Sequence, residues 1–246
     1  MFFHAPQKRV TVPKLMINNI DIECVTSFNY LGIILDKHLS WDQHIKRIVT
    51  KLSKTIGILN RLKHFLPSHI LKTIYHSLIT PHLNYGILAW GYQANKLVTL
   101  QKKAIRIITN SKYNAHTEAI FKELNLLKLT DLFKLNKLKF LYKLQNKSLP
   151  EYFCEHFKIT LNRDVHEYNT RRKNNAHVIR KNREIAKKSL RNDLANLFNI
   201  TPHNIKDKIN THCLTGFTIY IRNILLDQYS NVREIVDCYI CGKGVH

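Results

Sequence analysis

The sequence predicts an α+β fold that is mostly α, with a small N-terminal antiparallel β element followed by a helical bundle and a helical C-terminal extension. Apolar residues alternate with polar ones early in the chain, and after Ser40 they recur every three to four residues. The 246 residues include 7 Gly and 6 Pro, too few for the many turns of a β-sandwich. At 44% hydrophobic residues, the chain can bury a sizeable core in one or two domains.

The predicted β element begins with a hairpin over residues 14–25. Asn18 and Asn19 stand at its centre, and Asn tolerates the positive φ that a two-residue hairpin turn requires. A third strand is predicted over residues 30–35, and residues 1–4 are a candidate fourth strand. These strands would form one small antiparallel sheet.

Helical spacing begins directly after this element. Ser40 and Gln43 match the Ser-x-x-Gln pattern of a capping box, in which two side chains satisfy free backbone groups at a helix start. The first helix then carries regularly spaced apolar residues as far as Leu62. The next predicted helical segments cover residues 67–79, 81–90 and 96–109.

A longer helix is predicted to run from a Thr130-Asp131 cap to about Asn146. Its apolar residues surround it almost completely, so we expect it to be sandwiched between layers. Its lysines would then reach out to a surface; they are Lys134, Lys137, Lys139 and Lys143. Residues 162–182 are poor in apolar side chains and predict a linker or an extended basic arm, with two further helices at 184–198 and 216–229.

The charge of the chain indicates its class of partner. The sequence has 39 Lys and Arg against 17 Asp and Glu, and residues 51–150 hold 17 basic but only 3 acidic residues. On the helix at 96–109 the basic residues share an arc of roughly 120° beside the apolar face. A polyanion offsets such a surplus, because each cation that meets a phosphate releases a condensed counterion. The predicted nucleic-acid-binding residues are Lys46, Arg47, Lys51, Lys54, Arg61, Lys63, Lys96, Lys102, Lys103, Arg106, Arg171, Arg172 and Lys173.

Other features of the sequence bear on the cellular compartment and on the class of function. The sequence lacks both an apolar run that would span a bilayer and the pattern of a signal peptide, so we expect an intracellular protein of the cytoplasm or nucleus. Five Cys, an odd number and mostly far apart, favour a reducing compartment. The 14 His are scattered without a Ser or Cys partner, and no pattern predicts a small-molecule substrate or an oligomeric state.

Several blocks of the sequence, in order, resemble the reverse transcriptases of LINE-type, jockey-like non-LTR retrotransposons. The longest block contains Tyr30-Leu31-Gly32 and ends at Leu39-Ser40-Trp41. The resemblance extends over most of the chain, through residues 27–41, 78–86 with Trp90, 100–106, 116–118 and 168–171.

The resemblance implies a division of the chain into four parts. Residues 1–40 would be the end of the palm with the primer-grip β element, in which Tyr30, Leu31 and Gly32 are the primer-grip-like residues. Residues 41–160 would be a helical, thumb-like domain, 161–183 a basic linker or arm, and 184–246 a helical extension. In that family the thumb grips an RNA/DNA template–primer duplex through its backbone, in agreement with the charge.

The resemblance also implies what the chain lacks. Polymerase chemistry uses Mg²⁺ held by carboxylates on neighbouring strands, and this chain has no Asp-Asp pair. Asp21 and Glu23 share one strand face but are expected to face solvent, while Asp36 and Asp42 fall at a strand end and in the first turn of a helix. We therefore expect no catalytic residue and no resident cofactor here, although the parent polymerase uses Mg²⁺. The chain starts inside a predicted strand, which suggests a piece of a longer reading frame.

The C-terminus contains a candidate zinc site. Cys238, Cys241 and His246 have C-x2-C-x4-H spacing, which resembles the first three ligands of a retroviral-type zinc knuckle. Structural zinc needs four ligands. The fourth would lie beyond a truncated end or come from Cys213 or His212; otherwise the match is accidental.

Two other functions are compatible with the composition. The first is a non-catalytic basic helical adaptor that binds RNA or an acidic protein, and it would expose an apolar groove among residues 42–146. The second is a metal-dependent nuclease, which the sequence disfavours because it contains no cluster of carboxylates.

Overall fold

The structure is a computed structural model that describes residues 1–7, 10–11, 14–165, 168, 170–182, 186 and 189–230. It confirms the mostly helical α+β fold with a small N-terminal β part. The chain forms two compact units, one of residues 1–86 with 93–110 and one of residues 87–92 with 111 onward. The four-part division implied by the resemblance stays a prediction.

Two antiparallel hairpins form the β part. Strands β1 (Met16–Ile17) and β2 (Ile20–Asp21) flank Asn18 and Asn19, whose φ values of 50° and 63° confirm the predicted turn. Strands β3 (Ser27–Tyr30) and β4 (Ile33–Asp36) form the second hairpin.

The second hairpin corrects the prediction of a single strand over residues 30–35. Leu31 and Gly32 form its two-residue turn with φ values of 48° and 81°. A two-residue turn with positive φ at both positions matches the twist of the flanking strands. Leucine disfavours that region by about 1–2 kcal/mol, so the Leu-Gly pair gives a weak turn signal in the sequence.

The N-terminal residues do not form the fourth strand. Residues 1–4 have no strand conformation in the described chain. The His4 backbone N–H donates to the Lys37 carbonyl over 3.0 Å, and His38 Nδ1 lies 2.9 Å from the His4 carbonyl oxygen. These contacts hold the N-terminal segment at the end of β4 without a strand ladder.

The turn from β4 into the first helix is organised by the buried carboxylate of Asp36. It accepts backbone hydrogen bonds from His38 (2.9 Å), Ser40 (3.0 Å) and Trp41 (3.1 Å), and the Ser40 hydroxyl donates to it over 3.1 Å. Burial alone raises the pKa of this carboxyl, but the four donors outweigh burial and place the pKa below its usual value. The ionised form is therefore part of the fold.

The predicted Ser40–Gln43 capping box is wrong. The helix begins at Asp42, and Trp41 precedes it with a φ of 62° and no side-chain cap. The Ser40 hydroxyl accepts only a long 3.4 Å hydrogen bond from the Asp42 backbone N–H. Asp36, six residues before the helix, satisfies the preceding backbone groups instead.

The described helices alternate with short turns along the rest of the chain. In order they are α1 (Asp42–Leu62), α2 (Ser68–Leu78), α3 (Thr80–Asn84), α4 (Ile87–Trp90), α5 (Asn95–Ile108), α6 (Thr117–Glu123), α7 (Leu129–Gln145), α8 (Glu151–His156), α9 (Asn162–Val165), α10 (Leu190–Ile200), α11 (His203–Thr211) and α12 (Leu214–Asp227). The predicted helices at 67–79 and 96–109 are confirmed, whereas the segment at 81–90 is split into α3 and α4 at Gly86, whose φ is 63°.

The first unit is built on α1, which packs along α5 and also contacts α2 and β4. Leu52, Leu59 and Leu97 are fully buried. A buried polar contact joins α5 to α2, because the Gln101 amide donates to the Tyr75 hydroxyl over 2.9 Å. Burial raises the pKa of Tyr75 to about 12, so this hydroxyl stays protonated at neutral pH.

The second unit is built around α7, as its all-round apolar pattern predicts. The predicted Thr130-Asp131 cap is wrong, because α7 already begins at Leu129. Asp131 is buried instead, and it accepts a 2.6 Å hydrogen bond from the Tyr229 hydroxyl. That hydroxyl in turn accepts from the Lys128 backbone N–H over 2.9 Å.

One lysine of α7 does not reach a surface as predicted. Lys137 Nζ lies 2.7 Å from Asp193 Oδ2 of α10 and 4.4 Å from the centre of the Phe133 ring, and its side chain is 11% exposed. Lys134 pairs with Asp131 over 3.3 Å. The Lys134 pair lies within α7, whereas the Lys137–Asp193 pair joins α7 to α10.

In and beside the predicted arm, backbone hydrogen bonds join residues 160–163 to residues 173–177. Asn162 N–H donates to the Asn175 carbonyl over 2.9 Å, and His177 N–H donates to the Thr160 carbonyl over 2.7 Å. The Asn199 side chain of α10 bonds both backbone groups of the buried Ala176. Helices α10 and α12 fall close to the two predicted C-terminal helices, whereas α11 was not predicted.

Of the helices in the described part of the chain, none has both the length and the apolar character needed to cross a membrane.

Replacing Asp36 with Asn should lower the free energy of unfolding by about 2–3 kcal/mol, because the turn loses its charged acceptor. The pKa is lowered on folding, so the contribution is present above the usual value of 3.8 and is lost as the pH falls through the lowered value. The difference in the free energy of unfolding between wild type and Asp36→Asn should therefore be constant above about pH 5 and shrink in stronger acid. Urea unfolding followed by circular dichroism measures it. Asp42→Asn, an exposed first-turn change, is the control and should cost about 0.3–1 kcal/mol; equal costs would contradict the role of Asp36.

Candidate nucleic-acid interface

An open cleft of about 550 Å³ lies in the first unit. Three segments line it: the β3–β4 turn, one face of α1, and the chain from α3 to Tyr85. The lining residues are Leu31, Gly32, His44, Arg47, Ile48, Lys51, Pro81, His82, Asn84 and Tyr85. The cleft therefore brings two of the primer-grip-like residues together with two of the predicted phosphate-binding cations.

The local structure explains how these residues meet. His44, Arg47 and Lys51 are three and four residues apart, so they share one face of α1. The Tyr85 hydroxyl donates a 2.5 Å hydrogen bond to the Leu31 carbonyl and fixes the turn against the segment after α3. At Gly32 a side chain would be strained by the φ of 81°, and its Cβ would lie 3.7 Å from the Tyr85 ring.

The cleft is electropositive. Burial lowers the pKa of His44, and the charges of Arg47 and Lys51 lower it further. Burial followed by the same two cations also lowers the pKa of His82. The Ile34 backbone N–H donates to His44 Nδ1 over 3.3 Å, which places the ring proton of neutral His44 on Nε2. At neutral pH the cleft thus has two fixed cations and two neutral imidazoles, a set that suits an anion.

The basic face of α1 extends beyond the cleft. The side chains of Lys46, Lys54 and Arg61 are exposed, and that of Lys63 is half-buried. The sequence contains no acidic residue between Asp42 and Glu118 but 12 Lys and Arg. Within the described residues, the ion pairs involve none of the α1 cations. Their charge is therefore not compensated by carboxylates of the described chain.

Helix α5 confirms its predicted two-faced character. Lys96 and Lys103 are exposed, while Lys102 and Arg106 are half-buried. The opposite face is buried in the core of the first unit; it contains Leu97, Gln101, Ala104, Ile105 and Ile108. Helix α5 thus adds a second cationic surface to this unit.

The remaining predicted residues lie elsewhere. Tyr30, the third primer-grip-like residue, is exposed at the end of β3 and does not line the cleft. Arg171, Arg172 and Lys173 belong to the second unit and are exposed. Their backbone is fixed, because the Asn162 side chain donates to the Arg172 carbonyl over 2.9 Å. Every other predicted phosphate-binding residue lies in the first unit.

Sequence reasoning did not predict six of the ten lining residues as site residues: the apolar Ile48 and Pro81, and the polar His44, His82, Asn84 and Tyr85. The spacing of His44 to Arg47 and Lys51 could have indicated that His44 shares their face of α1. His82, Asn84 and Tyr85 fall in one of the blocks that carry the family resemblance, but only the fold brings that block next to α1.

The described residues provide no metal centre. Among them, His, Cys, Asp and Glu form no group of three or more that could hold a metal ion. Asp21 is exposed and pairs with Lys14 over 3.4 Å. Cys238, Cys241 and His246 lie outside the described residues, so zinc there stays a prediction. Cys213, a suggested fourth ligand, is exposed and accepts a 3.4 Å hydrogen bond from the Gly216 N–H.

Comparison with known proteins finds sequence similarity to polymerases of mobile elements. Three relatives, all from Drosophila melanogaster, are described as RNA-directed DNA polymerases. The probable enzyme of transposon X-element is 26% identical over 133 residues, that of transposon BS 30% over 125, and that of mobile element jockey 32% over 130. Over about half its length, the chain is similar to jockey-like RNA-directed DNA polymerases of mobile elements. This confirms the resemblance inferred from the sequence blocks.

The similarity to the jockey-like polymerases is partial. The matches cover 48–50% of this chain and 14% of each relative's length. No protein-family model matches the chain, and no solved structure matches it.

The affinity of the first unit for a nucleic-acid strand should rise as the pH falls from 7.5 to 5.5. The pKa of His82 is lowered in the free protein, so the ring is neutral at pH 7, and a phosphate brought into the cleft would favour its protonation. Fluorescence anisotropy of a labelled oligonucleotide measures the effect. His82→Gln should reduce the rise by about two- to fivefold, the value of one exposed ion pair. The control His203→Gln, an exposed change in the second unit, should leave the pH-dependent rise in affinity unaltered. Equal pH profiles for wild type and His82→Gln would contradict a contribution of His82 protonation to binding.

Proposed function

We propose that the first unit binds the phosphate backbone of an RNA/DNA template–primer duplex, as part of a jockey-like RNA-directed DNA polymerase. The observation that carries the proposal is the cleft in which Leu31 and Gly32 meet Arg47 and Lys51. The polymerase relatives are named for copying RNA into DNA, a reaction that requires such a duplex.

The cations of α1 have the arrangement that backbone binding needs. Arg47 and Lys51 stand at the cleft, and Lys46, Lys54 and Arg61 extend the charge along the helix. Arg donates paired hydrogen bonds to phosphate oxygens, and Lys acts as a point charge. Since the described acids do not pair with these side chains, no internal ion pair has to break before a phosphate binds.

Backbone contacts of this kind do not read sequence. Long cationic side chains on phosphates set the position and orientation of a duplex, whereas discrimination requires contacts with base edges. We therefore propose binding that is independent of sequence. A polymerase needs this property because it must move along every template.

Binding without copying is the second part of the proposal. The sequence has no Asp-Asp pair, and the residues that line the cleft include no carboxylate. Two-metal catalysis needs carboxylates that hold the ions next to the primer end. We propose that this chain alone positions a duplex but adds no nucleotide to it.

The affinity for an RNA–DNA hybrid should fall by about 10³–10⁵-fold between 50 and 200 mM salt if six to ten phosphates are neutralised. The double change Arg47→Gln and Lys51→Gln should weaken binding and lower the log–log salt slope by about two, because each phosphate contact contributes about one. Anisotropy titrations at several salt concentrations measure both quantities.

The matched control removes two charges elsewhere, with Lys147→Gln and Lys158→Gln in the second unit, where both side chains are exposed. A shallow slope for the wild type, or equal slopes for the two double variants, would count against the proposal. Competition with heparin separates it from the adaptor hypothesis. A duplex-binding unit should prefer the hybrid, whereas a basic adaptor should release it to heparin at equal charge concentration.

The purified 246-residue chain should not extend a primer on an RNA template with Mg²⁺ or Mn²⁺. A gel-based extension assay with labelled primer measures incorporation, and the same preparation must bind the template–primer in the anisotropy assay. Extension by the chain that is abolished by EDTA would overturn the second part of the proposal and leave the binding part intact.

A further inference from the structure

Phe65 lies in the turn between α1 and α2 and is exposed to solvent. The residue is 82% exposed, the highest value for a Phe in the described chain. Single exposed apolar residues are common on protein surfaces. Phe65 differs from them in degree, because its exposure exceeds the 71% of Ile20 and Leu31, the next most exposed large apolar residues described in the first unit.

The exposure does not result from an irregular backbone. Phe65 and Leu66 both donate their backbone N–H to the Leu62 carbonyl over 2.9 Å, which continues the last turn of α1. Pro67 then fixes the entry into α2, and its carbonyl accepts from Ile70 over 3.1 Å. The ring therefore projects from a turn that is hydrogen-bonded on both sides.

Basic residues and histidines flank Phe65 in the sequence. Arg61, Lys63 and His64 precede it within four residues, and His69 follows at the start of α2. Arg61, His64 and His69 are exposed. The turn lies in the stretch without acidic residues that runs from Asp42 to Glu118. An exposed ring among cations is complementary to nucleic acid, which offers flat apolar bases next to phosphates.

We infer that Phe65 stacks on an unpaired base of the bound nucleic acid, in a single-stranded segment next to the duplex. The inference rests on the proposed function and adds to it a contact with a base. The cations of the turn hold the phosphates on either side of that base, and the ring covers its face. Stacking tolerates any base, because every base has a flat π face, so the contact is consistent with binding that is independent of sequence.

An acidic protein partner is the competing occupant of this turn. It would use the same cations, but it would bury the ring in an apolar pocket and would not distinguish paired from unpaired nucleic acid. The two occupants therefore differ in one measurable property, which is the dependence of binding on an unpaired base.

The experiment uses two RNA–DNA hybrids, one blunt and one with a single-stranded overhang that carries 2-aminopurine. Wild type and Phe65→Tyr should quench the 2-aminopurine fluorescence, and Phe65→Ala should not. Phe65→Ala should also weaken binding to the overhang hybrid by about 5- to 100-fold, and leave the blunt hybrid and the salt slope unchanged. Phe65→Lys should bind both hybrids at least as tightly as Phe65→Ala but should not quench, which separates the ring from the charge.

The matched control is Tyr152→Ala. Tyr152 is 69% exposed, but it stands on α8 between Glu151 and Glu155, and its removal should change neither signal. If Phe65→Ala behaves like Tyr152→Ala while the wild type binds with a steep salt slope, the inference fails and the proposed function stands. Equal weakening on blunt and overhang hybrids also overturns it. A wild type that binds neither hybrid overturns the proposed function, and the inference with it.

Discussion

The hydrogen bonds of Asp36 determine how the rest of the first unit is arranged. Its carboxylate gathers three backbone N–H groups and one hydroxyl between β4 and α1, so the strand must end and the helix must begin within six residues. The direction in which α1 leaves this turn sets where Arg47 and Lys51 face. The basic cleft therefore depends on a negative charge that is itself buried and already fully hydrogen-bonded.

The same use of acids recurs in the second unit. Asp131 accepts a hydrogen bond from the Tyr229 hydroxyl, and Asp193 pairs with Lys137, so both carboxylates join segments that are distant in sequence. The chain has 17 acidic and 39 basic residues, and within its described part no acid forms an ion pair with a cation of α1. Placement of the acids, as much as the surplus of cations, makes α1 and α5 suitable for phosphates.

Local signals made part of the fold predictable. The Asn18-Asn19 turn, α2 and α5 follow from residue preference and apolar spacing, and the structure confirms them. The Leu31-Gly32 turn was missed because leucine disfavours positive φ, and only the pairing of β3 with β4 imposes it. The cations of the cleft could be predicted from composition. The cleft itself could not, because it needs a hydrogen bond between Tyr85 and Leu31, 54 residues apart.

A fold that concentrates like charges on two packed helices must resist their repulsion when no ligand is bound. Here the apolar and cationic residues occupy different faces of the same helices. Leu52 and Leu59 are fully buried on α1, which packs along α5, while the exposed lysines of these helices stay in high-dielectric solvent, where repulsion is weak. A bound duplex would exclude that solvent and supply opposite charge in the same step. The exposed faces of α1 and α5 are therefore tolerated in water because they are hydrated, and under the proposed function a phosphate backbone would replace that hydration with opposite charge.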